Sequence, residues 1–455
     1  MEAKIITLSK VYSKLLDNSR DVYVYLPPSY DEAVNCRYPV LYAQDGQHMF
    51  ASDAMGDSWE MHRTAERLSR EGRMREVIIV AVSSISDQRA SEYFHEHSGL
   101  REAFHASCKG ELYERFLIEE LKPMIDGRFR TLADREHTAL IGSSAGGLVS
   151  YHIAFRRPDV FGQVAILSPF LVHTVVNEQG GGANNLEPIR EQKIYRSYPV
   201  KPPAMRVWVD IGGAEGLIMP RHVRAFADEL IEAGFQPGDD LMFLLDESAG
   251  HSQMDWARRL HHPLLYLFGT IGRPRSLQLA GRGRIGVEGL QVQLYPKVTY
   301  DTGFQMSLLS AEYTVDHPEV LEVGSDGRIV PLTGGAAEVT VRYKGLTGSA
   351  SFEVVPELSD HVRVEISVTV PPTTPADAQI HAGFEIPKVR EGFYQGSFLL
   401  PRDLAFDVKV SRGFGYHERR ETSRRFDTSE PVSLHYVVEG WEDGCEKSYD
   451  EGHRP

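Results

Sequence analysis

The stretch that decides the fold is Thr138-Ala139-Leu140-Ile141-Gly142-Ser143-Ser144-Ala145-Gly146-Gly147-Leu148, an apolar run that ends abruptly in glycines and serines. It reads as a strand, a very tight turn and the start of a helix, with Ser144 at the apex. Gly142 and Gly146 let strand and helix approach closely, and the apex serine must accept a strained backbone so that its hydroxyl stands clear of the sheet edge. The turn also aims the Ala145 amide at any oxyanion forming beside the serine, and the helix adds its positive N-terminal end.

Working outward, residues from Ile5 to about Ile271 alternate strand-like and helix-like segments, the pattern of a mostly parallel sheet covered on both faces. The strands expected are Val22–Leu26, Tyr38–Tyr42, Val77–Val82, Thr138–Ile141, Val164–Leu167, Met205–Val209 and Leu241–Leu245. Several are unbroken apolar runs, as strands buried on both faces should be. Helical periodicity runs over Tyr113–Ile125 and Arg221–Ala233. Pro169 to Pro203, with Gly180-Gly181-Gly182, reads instead as an irregular loop or small cap. The fold class is α/β, and Gly142-x-Ser144-x-Gly146 is the nucleophile-elbow pattern of the α/β-hydrolase fold.

A serine at such an elbow needs a base, an acid that orients the base, and a second oxyanion donor, each at the carboxyl end of a strand. His251, in Ser248-Ala249-Gly250-His251-Ser252, is the one histidine of eighteen that follows a strand through a glycine loop near the end of this region. It is the candidate base. The strand ending Trp208-Val209-Asp210 continues into Ile211-Gly212-Gly213-Ala214-Glu215-Gly216 and offers two carboxylates. Glu215, farther out, can reach the far imidazole nitrogen, whereas Asp210 can brace the turn; spacing leaves both open, with Asp246 as a third option. Val40-Leu41-Tyr42-Ala43-Gln44-Asp45-Gly46-Gln47-His48 is a strand running into a glycine loop, and the Gln47 backbone amide is the candidate partner of Ala145.

Residues 1–272 resemble the esterase family of α/β-hydrolases that includes esterase D, feruloyl and acetyl xylan esterases, siderophore esterases and the mycolyl transferase antigens. The resemblance is carried by Arg20-Asp21-Val22-Tyr23-Val24-Tyr25-Leu26-Pro27-Pro28, Asp45-Gly46-Gln47, Arg89-Ala90-Ser91-Glu92-Tyr93, Glu119-Glu120-Leu121-Lys122-Pro123-Met124-Ile125, the elbow, Pro158-Asp159-Val160-Phe161-Gly162 and Ser168-Pro169. It implies a catalytic set of Ser144, His251 and Glu215, the last at the final position of an Asp-x-Gly-x-x-Glu motif, with Asp210 as the alternative acid. His251-Ser252 with Trp256 fits the family's base motif. Arg89 and Glu92 are expected to brace the site through a salt bridge with each other. Gln47-His48 departs from the Gln-Asn that many relatives carry, which bears on local side-chain contacts and not on the backbone donor.

From about Ser276 the chain changes to short alternating strands with turn signals, which predicts β-sandwiches. Residues 276–356 resemble the bacterial Ig-like repeat through Ala311–Val323, Gly327–Val330 and Gly334–Val341. Residues 360–441 resemble the starch-binding type of sandwich through Phe406–Gly413 and Tyr416-His417-Glu418. Sugar binding in such modules uses exposed tryptophans, and Trp441 is the only tryptophan beyond the first domain. A glycan is therefore a candidate partner, and residues 442–455 are expected to be a polar tail.

The 455-residue length suits several domains, and the net charge of −15 argues against nucleic acid or an anionic membrane as partner. Cys36, Cys108 and Cys445 are odd in number and far apart, fitting neither a disulfide framework nor a zinc site. No run is long enough to span a bilayer and the first residues carry no leader pattern, so a chain that begins at Met1 is expected in the cytoplasm, and one trimmed of a leader in the exterior. The chemistry expected is a cofactor-free, metal-free serine esterase acting on a small-molecule ester, a carbohydrate or siderophore ester among the candidates. A thioesterase of the S-formylglutathione type and an adhesion protein that uses the hydrolase fold as a scaffold are the rivals; the sequence is silent on oligomeric state.

Overall fold

The computed structural model describes residues 4–51, 58–97, 100, 107–175, 190–215, 219–281, 283–287, 292–359, 361–383, 385–412, 416–420 and 422–442. An 8-stranded sheet forms the first domain, in the spatial order β1-β2-β4-β3-β5-β6-β9-β10. Its strands are β1 (Lys4–Ser13), β2 (Asn18–Leu26), β3 (Val40–Gln44), β4 (Ile78–Val82), β5 (Thr138–Ser143), β6 (Gln163–Leu167), β9 (Arg206–Gly212) and β10 (Leu241–Asp246). β1 and β2 run antiparallel to their neighbours, and every pairing from β4 through β10 is parallel. Buried on both faces, β3, β4, β5 and β6 have no exposed position, which explains their unbroken apolar sequences. β1 is the strand that sequence patterning does not single out: it lies at the edge, and most of its residues are exposed or half-buried.

The helices that follow these strands are α1 (Met61–Arg70), α2 (Arg89–Tyr93), α3 (Gly110–Arg115), α4 (Lys122–Arg128), α5 (Ala145–Arg156), α6 (Met219–Glu232), α7 (Gln253–Arg259) and α8 (His261–Phe268). α3 and α4 are joined by the wider turn Phe116–Leu121, so the predicted helix over 113–125 is continuous but locally unwound. α5 is buried from Ala145 to Phe155, and it therefore lacks the polar face of a surface helix. Between Pro169 and Pro203, where no regular structure is expected, Val172–Val175 (β7) pairs antiparallel with Arg190–Lys193 (β8). The Gly180 cluster lies outside the described residues.

Among the described residues beyond Gly272, every regular element is a strand. Residues 274–355 build sheets of three, four and three strands, and residues 361–437 add two four-stranded sheets and a two-stranded one. The first of these regions does not stand apart from the eight-stranded sheet. One apolar core contains Trp208, Met242, Leu244 and Leu264 together with Val298, Phe304, Met306 and Phe352. Phe304 is fully buried and meets Trp208 edge-on at 5.7 Å, and the Gln305 amide donates to His262 Nδ1 at 3.1 Å. Alongside β10, the Leu245 amide donates to the Ser307 hydroxyl at 3.1 Å. The sandwich thus covers the edge strand of the sheet, a position that would otherwise expose unpaired backbone.

The second sandwich has its own core, and Trp441 lies inside it, fully buried, with Nε1 donating to Thr374 Oγ1 at 3.0 Å. The tryptophan that the sequence offers for sugar stacking has no open face. Residues 443–455 of the expected tail lie outside the described residues.

A shared core makes a test of cooperativity available. Phe304→Ala is expected to cost about 3–5 kcal/mol and to lower the unfolding midpoint of the eight-stranded sheet and the sandwich together in urea followed by tryptophan fluorescence and circular dichroism; a circular-dichroism transition of the sandwich alone at lower urea would contradict the continuity.

Candidate active site

At the C-terminal end of β5, Ser144 adopts φ 55 and ψ −125, a strained conformation that a residue with a side chain holds only when its surroundings impose it. Those surroundings are backbone. The Ser144 amide donates to Leu167 O at 3.0 Å, and its carbonyl accepts from Leu148 at 3.1 Å and Phe170 at 3.1 Å. A Cβ on Gly142 would sit 2.3 Å from the Gly146 carbonyl oxygen, so strand and helix can meet only through glycine there. Ser144 itself is half-buried, and Ala145 opens α5 behind it.

β3 ends beside the elbow. Asp45 turns the chain with a left-handed φ of 55, and Gly46–His48 form a single 3₁₀ turn that carries the Gln47 amide. Three contacts immobilise this turn. The Asp45 amide donates to the Tyr93 hydroxyl at 3.1 Å, the Asp45 carboxylate accepts from Arg89 at 2.7 and 2.8 Å, and the Gln47 side chain exchanges hydrogen bonds with Ser84 at 2.9 and 3.1 Å.

The expected Arg89–Glu92 salt bridge is therefore corrected. Arg89 belongs to Asp45, and Glu92, wholly buried, is held by Arg20 at 2.8 and 2.9 Å and by Asn18 at 2.7 Å. The two residues sit three apart on α2, but Arg89 reaches toward the elbow, whereas Glu92 ties the helix to β2. Periodicity could not separate these directions.

The candidate base and the candidate acid come from the ends of β10 and β9. His251 Nδ1 lies 2.8 Å from Glu215 Oε2, and the imidazole stands edge-on to Trp256 with centroids 4.9 Å apart. The Glu215 side chain is 1% exposed against 41% for His251, so the carboxylate is sealed and the imidazole is open to solvent. Oε1 of Glu215 accepts from the Gly212 amide at 2.8 Å and from the Ser168 hydroxyl at 2.5 Å, with Arg259 Nη2 at 3.5 Å.

Asp210 faces elsewhere. It is fully buried, accepting from Trp208 Nε1 at 2.8 Å and Arg259 Nε at 2.9 Å. Burial pushes its carboxyl above the ordinary value, against the pull of Arg259. The Asp246 carboxylate accepts from the Ser248 hydroxyl at 3.2 Å, and its backbone carbonyl accepts from the Gly213 amide. Of the three carboxylates left open by spacing, Glu215 is the one beside the imidazole.

Sequence reasoning missed two residues that tie these parts together. Ser168, directly after β6, has φ 39 and a hydroxyl with every position used: it donates to Glu215 and accepts from Trp256 Nε1 at 3.0 Å and Arg259 Nη2 at 2.6 Å. Its neighbour Leu167 accepts the Ser144 amide, so one short segment touches Ser144 and Glu215 alike. The Ser168-Pro169 pair after a buried strand was the available signal. Arg259, in α7, bridges Asp210, Ser168 and Glu215 and carried no signal in the sequence.

The arrangement can be set beside known proteins. An endo-1,4-beta-xylanase/feruloyl esterase of Xylanibacter ruminicola is 27% identical over 252 residues, covering 54% of this chain and 29% of the relative, so the chain spans less than a third of that protein. Among solved structures, a ferulic acid esterase from Anaeromyces mucronatus in complex with ferulic acid is 22% identical, with a TM-score of 0.42, covering 58% of this chain and 89% of the other. The enterobactin esterase of Shigella flexneri is 18% identical, with a TM-score of 0.43 and 59% of each chain covered. The profile of the family described as Putative esterase matches residues 13–267, more than half the chain, and the protein belongs to that esterase family.

Proposed function

We propose that the protein is a serine carboxylester hydrolase. The observation that carries this reading is the 2.8 Å contact between His251 Nδ1 and a sealed Glu215, set beside an elbow serine held at φ 55. With Nδ1 committed to Glu215, the other ring nitrogen is free to act as base. It takes the Ser144 proton as Oγ attacks the ester carbonyl, and the Ala145 and Gln47 amides receive the oxyanion. The tetrahedral intermediate collapses as the imidazolium protonates the leaving alkoxide, forming an acyl-enzyme. Water, deprotonated by His251, then attacks this ester, and the acid departs with Ser144 restored. Glu215 stays ionised and stabilises the imidazolium in both halves.

The substrate class we infer is an aromatic acyl ester carried on a carbohydrate. Similarity to the xylanase/feruloyl esterase supports it over the siderophore ester. The second sandwich is not assigned a sugar-binding role, because Trp441 is enclosed.

Three outcomes follow. Ser144→Ala is expected to bring hydrolysis of p-nitrophenyl acetate to background with an unchanged melting temperature; retained turnover in pure protein would refute the nucleophile. Glu215→Gln is expected to lower kcat by about 10³- to 10⁴-fold, whereas Asp210→Asn should act mainly on stability, costing about 3–5 kcal/mol by stranding the buried Arg259; the reverse pattern would move the acid to Asp210. Across a panel of esters, kcat/KM should be highest for feruloyl arabinosides, and a preference for catecholate trilactones would replace the carbohydrate assignment.

A further inference from the structure

The second sandwich reaches the active site through its strand Ala405–Val408. Phe406 forms an antiparallel bridge with Glu215 itself, and the Asp407 amide donates to the Ala214 carbonyl at 3.3 Å. The same strand meets the histidine loop. A Cβ placed on Gly250 would lie 2.8 Å from Asp407 Cβ and 3.1 Å from its Cγ, so the residue before His251 is packed against the Asp407 side chain. The acid and histidine loops are themselves joined there, the Ala214 amide donating to Ala249 O at 3.0 Å. On its far side Asp407 is fixed by Arg425 at 2.7 Å, and Phe406 stacks on Phe426 with centroids 4.6 Å apart. A strand anchored in one domain therefore presses on both loops that carry the acid and the base of another.

We infer that residues 405–408 are a positioning element of the active site: the second sandwich clamps the Glu215 and His251 loops in register for proton transfer. The inference rests on the serine hydrolase reading above, but has its own physical basis. Both loops leave the carboxyl ends of β9 and β10, beyond the last paired residues Gly212 and Asp246, where the sheet ladder no longer holds them. Loops need a second support to hold a base within the fraction of an ångström that proton transfer requires. The sandwich supplies it through backbone pairing and one close side-chain contact. Phe406 and Asp407 touch no reacting atom, so their contribution is to kcat and not to substrate affinity.

The test is a double-mutant cycle in the full-length chain. Gly250→Ala should push the histidine loop off Asp407 and lower kcat about 10- to 100-fold with KM little changed. Asp407→Gly, which removes the obstructing atoms, should restore most of that loss when combined with Gly250→Ala. A Gly250→Ala enzyme with wild-type kcat, or a double variant no faster than Gly250→Ala, would overturn the clamp. Asp407→Pro approaches the contact from the sandwich side by deleting the amide that points at Ala214; it should lower kcat with KM retained, and unchanged kcat there would also overturn the inference, whether or not Gly250→Ala folds. Turnover by the wild type separates the two claims: an inactive wild type refutes the hydrolase reading, whereas an active wild type with indifferent variants refutes the clamp alone.

Discussion

The structure turns on one buried carboxylate. Glu215 is withdrawn almost completely from water, and an ionised group so placed costs several kcal/mol unless its lone pairs are met by fixed donors. The Gly212 amide, the Ser168 hydroxyl and the His251 ring meet them, with Arg259 close behind. Each donor comes from a different segment of the chain, so satisfying the charge brings the ends of β6, β9 and β10 to one point. The elbow joins the same point because the Ser144 amide hangs on Leu167, one residue before Ser168.

That constraint gives the glycines and the strained residues a common reason. Gly212 must lack a side chain, since a Cβ there would lie 2.2 Å from Ala249 O and 2.8 Å from Glu215 Oε1. Ser144 and Ser168 both carry positive φ, at the ends of adjacent strands, and the amide of each donates to a residue of the next strand, Leu167 and Asp210. Strain at these two residues is offset by the well-packed parallel strands beneath them, which are closed to solvent on both faces.

Much of this was legible in the sequence, and what was not has a physical explanation. Unbroken apolar runs marked the central strands because both faces are covered, and the Gly142–Gly146 pattern marked the elbow because only glycine permits the approach. The edge strand Lys4–Ser13 escaped notice because its residues are mostly exposed, and periodicity has little to report there. The salt bridge expected of Arg89 and Glu92 rests on the family resemblance, but ion pairs are chosen in three dimensions, and each residue found a carboxylate or guanidinium on a different strand or loop. Domain contacts were the least legible: the sequence changes character at Gly272, yet Phe304 and Trp208 share a core, and nothing in Phe406-Asp407 announces a bridge to Glu215.

The central claim is that Ser144 is a nucleophile activated by His251 and Glu215. Reaction of the intact protein with a fluorophosphonate, followed by peptide mass spectrometry, tests it most directly. The account predicts one adduct, on Ser144, whose formation slows greatly in Glu215→Gln. An unmodified protein, or an adduct on another serine, would contradict it.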